Sequence, residues 1–233
     1  MQAEDRPIHF SAELLHLPCK HEVSALQKLY FDLSKTREAA YDNTDFSVPG
    51  RFRFFSKRGN KTQSTFLFLP DRFMLAEEWV DIPLSDFITK LETAAGQAMD
   101  ALKIPFLPAH TANLRTTFAL THFDDARRFL LDHVCKQEDR LSPHFTRPIA
   151  VGGMRMVFPE TPEFNGAYNV VIESFRHSQH EIFVEVKGVF ARQRVVRDEL
   201  SLIGDNFRAV QNFIADSVFP FLNQYDSPED RLV

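Results

Sequence analysis

The sequence predicts an α+β protein built as two tandem β-α-β(3-4)-α units, their strands joined into one curved antiparallel sheet with helices on one face. Three observations lead there. Segments in which apolar and polar residues alternate recur along the chain, apolar stripes of helical period stand between them, and both halves present the two kinds of segment in the same order. The composition fits: 44% hydrophobic and 25% charged residues are globular values, which excludes disordered, collagenous and coiled-coil chains. A chain of 233 residues hides roughly 70% of its unfolded surface and needs no cross-link to fold.

Behind Pro7, the inward set Ile8, Phe10, Ala12 and Leu14 marks a half-buried strand over residues 8–17. The period then changes, and Val23, Leu26, Leu29, Tyr30 and Leu33 form one helical stripe. Residues 42–50 read as a polar connector ending in Pro49-Gly50. Strands follow at 51–57 and 64–69 around an Arg58-Gly59-Asn60-Lys61 turn, and a third at 73–80 after Pro70-Asp71. Ser85 is the expected N-cap of a second helix, whose stripe is Ile88, Leu91, Ala95, Met99 and Leu102 and whose stop is Pro105.

The order repeats from Thr111. Residues 114–120 are a strand, and Asp124 is placed to cap a helix carrying Ala126, Phe129, Leu130, His133 and Val134. Strand-like segments cover 149–158, 167–175 and 181–196, the last bent or split at Gly188. A final helix carries Ile203, Phe207, Val210, Ile214 and Val218 and stops at Pro220. Pro105-Phe106-Leu107 recurs as Pro220-Phe221-Leu222, and the same offset sets Ile88 on Ile203, Ala95 on Val210 and Met99 on Ile214. Residues 1–107 and 108–233 are therefore expected to be two repeats within one compact unit, the second with a longer loop at 159–165. Phe52, Phe54, Phe66, Phe68, Phe129, Phe207 and Ile214 are the expected core residues.

Two halves joined edge to edge would leave helices on the convex side and a concave sheet face open. This arrangement resembles the TATA-binding-protein-like fold, whose repeat is a strand, a helix, several antiparallel strands and a long helix. Arg6-Pro7-Ile8 before a strand, Leu69-Pro70-Asp71-Arg72-Phe73 followed by Glu78-Trp79, and a closing amphipathic helix with Phe213 near its end also resemble a sporadically distributed family of uncharacterised bacterial proteins. That resemblance spans nearly the whole chain and implies a bacterial source, but no activity.

The net charge of −5 argues against a surface that is a polyanion clamp throughout. Charge is nevertheless segregated. Residues 51–61 hold Arg51, Arg53, Lys57, Arg58 and Lys61 with no acid, which leaves the rest of the chain at −10. On a strand Arg51, Arg53 and Phe55 share one face, where the cations could meet phosphates and Phe55 could stack on a base. The alternative is an ordinary hairpin with a solvated outer face. The corresponding stretch of the second half has only Arg155, so a symmetric duplex saddle is not expected. Twenty-four Phe against four Tyr and one Trp speak for core rings rather than a contact surface.

Cys19 and Cys135 are too few for a disulfide framework, and a cytoplasmic location is expected. The first residues lack the charge and apolar pattern of a signal peptide, and no apolar run is long enough to span a membrane. Cys19-x-His21, His133-x-Cys135 and His177-x-x-His180 each pair two ligand types, but none completes a four-ligand set, so no metal or cofactor is expected. His133, on an apolar stripe, is expected to be an interior hydrogen-bonded residue. No nucleophile elbow, phosphate loop, dinucleotide fingerprint or metalloprotease helix is present. Gly152-Gly153 leads into a strand and reads as a bulge or bend. Glu77-Glu78 and Asp124-Asp125 are adjacent carboxylates without an acid/base partner. The expected function is non-enzymatic: a protein or single-stranded nucleic acid held on the concave face or an edge of the sheet. An apolar-ligand carrier with a Phe-lined cavity and an enzyme with a dispersed site are the alternatives.

Overall fold

A computed structural model of the chain describes residues 6–59, 61–137, 140–141 and 143–227. Nine strands form one antiparallel sheet in the order β2-β3-β4-β5-β1-β7-β10-β9-β8. The innermost pair is β1 (Arg6–Leu15) with β7 (Ala109–Ala119), in register at Ala12 and Ala112. Outward from β1 lie β5 (Arg72–Glu78), β4 (Thr62–Leu69), β3 (Arg51–Arg58) and β2 (Asn43–Val48). Outward from β7 lie β10 (Glu181–Phe190), β9 (Ala167–Ser174) and β8 (Gly153–Phe158). On both sides the last long strand of a half pairs with its first, and the others follow in reverse chain order. A small second sheet pairs β6 (Phe106–Leu107) with β11 (Val195–Val196).

The first half contributes α1 (Val23–Ser34) and α2 (Leu84–Leu102). The second contributes the single turn α3 (Ala126–Arg128) with a π-helical continuation to Val134, and α4 (Ser201–Phe213), which passes through a π segment into α5 (Phe219–Asn223). Alternate strand residues bury against these helices in one continuous core. Phe52, Phe54, Phe66, Phe68, Phe129, Phe207 and Ile214 are all buried, as the sequence patterns predict. Within β3, β4 and β5 the rings of Phe52, Phe54, Phe66, Phe68 and Phe73 fill the space by tilted and edge contacts, as close as 4.3 Å between Phe66 and Phe68.

Several local expectations are corrected. Residues 43–48 are not a connector but the edge strand β2, because Phe46 packs on Phe52 and the free edge of β3 supplies the ladder. Pro83, not Ser85, is the N-cap of α2, and Asp125, not Asp124, caps α3 by accepting from the N–H groups of Arg127 and Arg128. β10 runs through Gly188 without a break. A Cβ there would press on Phe190 and Val210, so that glycine serves close packing against α4. The helix does not stop at Pro220, because the π turn before it places the proline in the first turn of α5, where its missing N–H costs nothing. Pro105-Phe106-Leu107 leads into a strand and Pro220-Phe221-Leu222 lies in a helix, so the tripeptide match joins unlike elements. The stripe residues Ile88, Ala95, Met99, Ile203, Val210 and Ile214 are all buried. Asn60 of the first hairpin turn and residues 1–5 lie outside the described residues. Among those described, no helix is long and apolar enough to cross a membrane. Both cysteines are free thiols.

Candidate functional site

β3 carries most of the basic segment. Its inward residues Phe52 and Phe54 anchor the strand in the core, so Arg51, Arg53, Phe55 and Lys57 fall on the face without helices. Acid absent from the segment in sequence arrives from elsewhere in space. Asp45 of β2 pairs with Arg53 at 3.5 Å, and Asp81 pairs with Arg58 at 3.6 Å. The Arg53 guanidinium also covers the Phe55 ring at 4.4 Å, and the Lys61 ammonium lies over Trp79 at 4.9 Å. Arg51, Lys57, Arg58 and Lys61 are exposed, while Arg53 and Phe55 are half-buried.

Across the middle of the same face, charges of both signs interlock. Glu13 of β1 holds Arg72 at 3.2 Å and Lys187 at 3.0 Å, Arg115 pairs with Glu185, and Glu181 takes Arg6 and the Thr117 hydroxyl. Burial and the nearby Arg115 hold His9, also on this face, down to about 4. A face so interlaced with carboxylates is a poor bed for a polyanion.

The two edges of the sheet differ. β2 is mostly polar, with Asn43, Thr44, Asp45 and Ser47, although its last residue Val48 is 48% exposed, and its register on β3 shifts between Asp45 and Val48. β8 runs in unbroken register along β9 from Gly153 to Phe158 and contains no acid and no proline. Val157 is 60% and Phe158 42% exposed. Among the described residues, no backbone hydrogen bond joins β8 to any strand but β9. Gly153 is needed where it stands, because a Cβ would meet the Ile172 carbonyl and Glu173 backbone of β9.

On the helix side, the turn out of β1 gathers ligand-type side chains that the sequence presents as separate. The inward row Phe10, Ala12, Leu14 continues to His16, which is buried, and the loop into α1 adds Cys19 and buried His21. Their ligand atoms lie within 4.8 Å of one another. In sequence Cys19 stands beside His21 alone, a pair too small to point to a metal. What that pair leaves out is His16, whose signal is a histidine standing in an otherwise apolar inward row. Burial, with His16 alongside, lowers His21 to about 4, and burial raises both cysteine thiols, so neither is a ready nucleophile. An open groove of about 810 Å³ runs past Cys19, His21, Phe46, Phe52 and Pro70. Neither His133–Cys135 nor His177–His180 gathers a third ligand among the described residues. His133 is half-buried against Phe123, ring centroids 4.5 Å apart, rather than interior, and His177 meets the edges of Trp79 and Phe175.

A buried polar cluster bears on the enzyme alternative. Lys90 of α2 donates to Glu77 at 2.8 Å and to Ser64 at 2.6 Å, and the Ser64 hydroxyl donates to Glu77 at 2.7 Å. The donor sequence runs from amine to hydroxyl to carboxylate, the reverse of what a lysine base activating a serine requires. Glu77 faces inward and Glu78 outward, as adjacent strand residues must. No protein-family model matches the chain, and no curated protein matches it in sequence.

Proposed function

We propose that the protein is a binding module that takes an extended segment of a protein partner onto the free edge of β8. The carrying observation is the difference between the sheet edges. Polar residues and a register shift blunt β2, whereas β8 is regular, apolar and exposed at Val157 and Phe158. An added strand would pair with the open backbone groups and seat alternate side chains against Val157 on one face and Met156 and Phe158 on the other. Arg155 is the only charge on β8 and selects the occupant. A second copy of the chain would bring another arginine and no acid, while a partner with a carboxylate opposite Arg155 gains a cross-strand ion pair.

A single-stranded nucleic acid on Arg51, Arg53, Phe55, Lys57, Arg58 and Lys61 is the competing partner. The pairing of Arg53 and Arg58 with Asp45 and Asp81 weakens it. The same reading takes residues 7–107 and 108–225 as two copies of one unit in a TATA-binding-protein-like arrangement, which the matched outward strand order supports. It also takes the protein as bacterial and cytoplasmic, a setting that suits two free thiols.

The test is selection of linear peptides from a displayed library against the full chain, followed by titration into wild type and Val157→Lys. Alternating apolar and acidic sequences should be selected, should protect β8 amides from exchange, and should bind Val157→Lys at least tenfold more weakly while its thermal midpoint is unchanged. A dimer that Val157→Lys dissolves would assign the edge to self-association instead. Oligonucleotide binding that falls steeply with salt and is lost in Arg53→Ala/Lys57→Ala/Arg58→Ala would assign the function to nucleic acid. Either result overturns the proposal.

A further inference from the structure

We infer that His16, Cys19 and His21 form a three-ligand site for Zn²⁺, with the fourth coordination position open to the groove beside the start of α1. The inference is independent of the strand-edge reading. Its first support is composition and proximity: two imidazoles and a thiol whose ligand atoms lie within 4.8 Å of one another. Nitrogen and sulfur donors suit zinc and discriminate against calcium and magnesium, which take oxygen.

The second support is the state of the imidazoles. His16 and His21 are 4% and 7% exposed, and the Nε2 of each is buried without a hydrogen-bond partner. Leaving a buried polar atom unsatisfied is costly, so two side by side call for an occupant. His16 Nδ1 lies 3.9 Å from Cys19 Sγ and 2.8 Å from the Leu17 carbonyl oxygen, to which it can only donate. That fixes the proton on Nδ1 and leaves the lone pair on Nε2, the outer hydrogen bond that a metal-bound histidine ordinarily makes.

Backbone hydrogen bonds anchor the loop to the neighbouring turn. The N–H of His16 donates to the Asp71 carbonyl and that of Cys19 to the Pro70 carbonyl, each at 2.9 Å, so the β4–β5 turn sets the positions of both residues. Zinc bonds of about 2.0 Å to nitrogen and about 2.3 Å to sulfur bring tetrahedral donors to roughly 3.3–3.6 Å apart. The widest donor separation of 4.8 Å therefore closes by roughly 1.2–1.5 Å on binding, within reach of side-chain rotation at half-exposed Cys19. Binding converts the thiol to a thiolate and releases one proton. Cys19 and His21 both line the groove, so the remaining position is taken by water or by a donor atom of a ligand lying there.

The experiment uses untagged full-length protein stripped with a chelator and titrated with Co²⁺, whose tetrahedral thiolate complexes absorb in the visible and near ultraviolet. A one-to-one spectrum that Zn²⁺ displaces is expected, together with a rise in thermal midpoint on adding Zn²⁺. Cys19→Ser should abolish the sulfur-to-cobalt band and the thermal shift, and His21→Asn should weaken Co²⁺ binding at least tenfold. Cys135→Ser should change neither. Because the Cys19 side chain is half-exposed, Cys19→Ser keeps the test readable if His21→Asn fails to fold. No stoichiometric spectrum, or one that survives Cys19→Ser, overturns the inference.

Discussion

His110 shows what burial does to one ionisable side chain. It is fully buried on β7, stacked on Phe190 at 5.0 Å, with Nε2 2.8 Å from the Asn206 amide of α4. Burial holds it at about 4, below the ordinary value of 6.5. Below pH 6.5 the unfolded chain takes up a proton that the folded chain refuses, so folding stability is complete above 6.5 and falls as pH drops towards 4. The loss attached to His110 over that window is on the order of 3 kcal/mol. His9, lowered by burial and by Arg115, adds to the fall. Urea unfolding from pH 7.5 to 4.5 should therefore show a shallower decline for His110→Gln than for wild type. Parallel curves would mean that the buried imidazole does not contribute.

Among elements, β8 combines an open outer edge with a tight inner one. Gly153 faces the backbone of β9 so closely that no Cβ fits, and the neighbouring Gly152 N–H bonds to the Ser174 hydroxyl. Gly153→Ala should force β8 and β9 apart at that end and lower stability by about 1–3 kcal/mol, read as an earlier urea midpoint with unchanged slope. An unchanged midpoint would show that the strand end gives way without cost. Lys90, Glu77 and Ser64 play a comparable part where α2 meets the sheet: an ion pair buried at both ends and tied by a hydroxyl sets how the helix lies across β4 and β5.

At the scale of the molecule, both halves contribute strands to one ladder and side chains to one core, so neither can be removed without exposing the other. α2 and α4 cross where Gly204 leaves room for Ile88 and Glu92, and Phe87 meets Phe207 at 5.2 Å. Amide exchange should accordingly be slowest in β1, β5, β7 and β10, the four strands around the β1–β7 junction and farthest from the sheet edges, and fastest in the edge strands β2 and β8. Slower exchange in either half's outer strands than at the β1–β7 junction would contradict a single cooperative sheet.

Periodicity by itself determined much of this protein. The alternation Phe10, Ala12, Leu14 and the stripe Ile203, Phe207, Val210 depend only on backbone geometry and on the cost of leaving apolar surface in water. That is why the α+β class and the core phenylalanines were legible in the sequence. Tertiary structure decided whatever depends on neighbours distant in the chain. Residues 43–48 are a strand because β3 had an open edge, and Arg53 and Arg58 meet acids because folding brings Asp45 and Asp81 to them. His16 joins Cys19 and His21 because the β4–β5 turn holds the loop by its backbone. Hydrogen bonds and ion pairs act over a few ångströms, and sequence separation does not measure that distance.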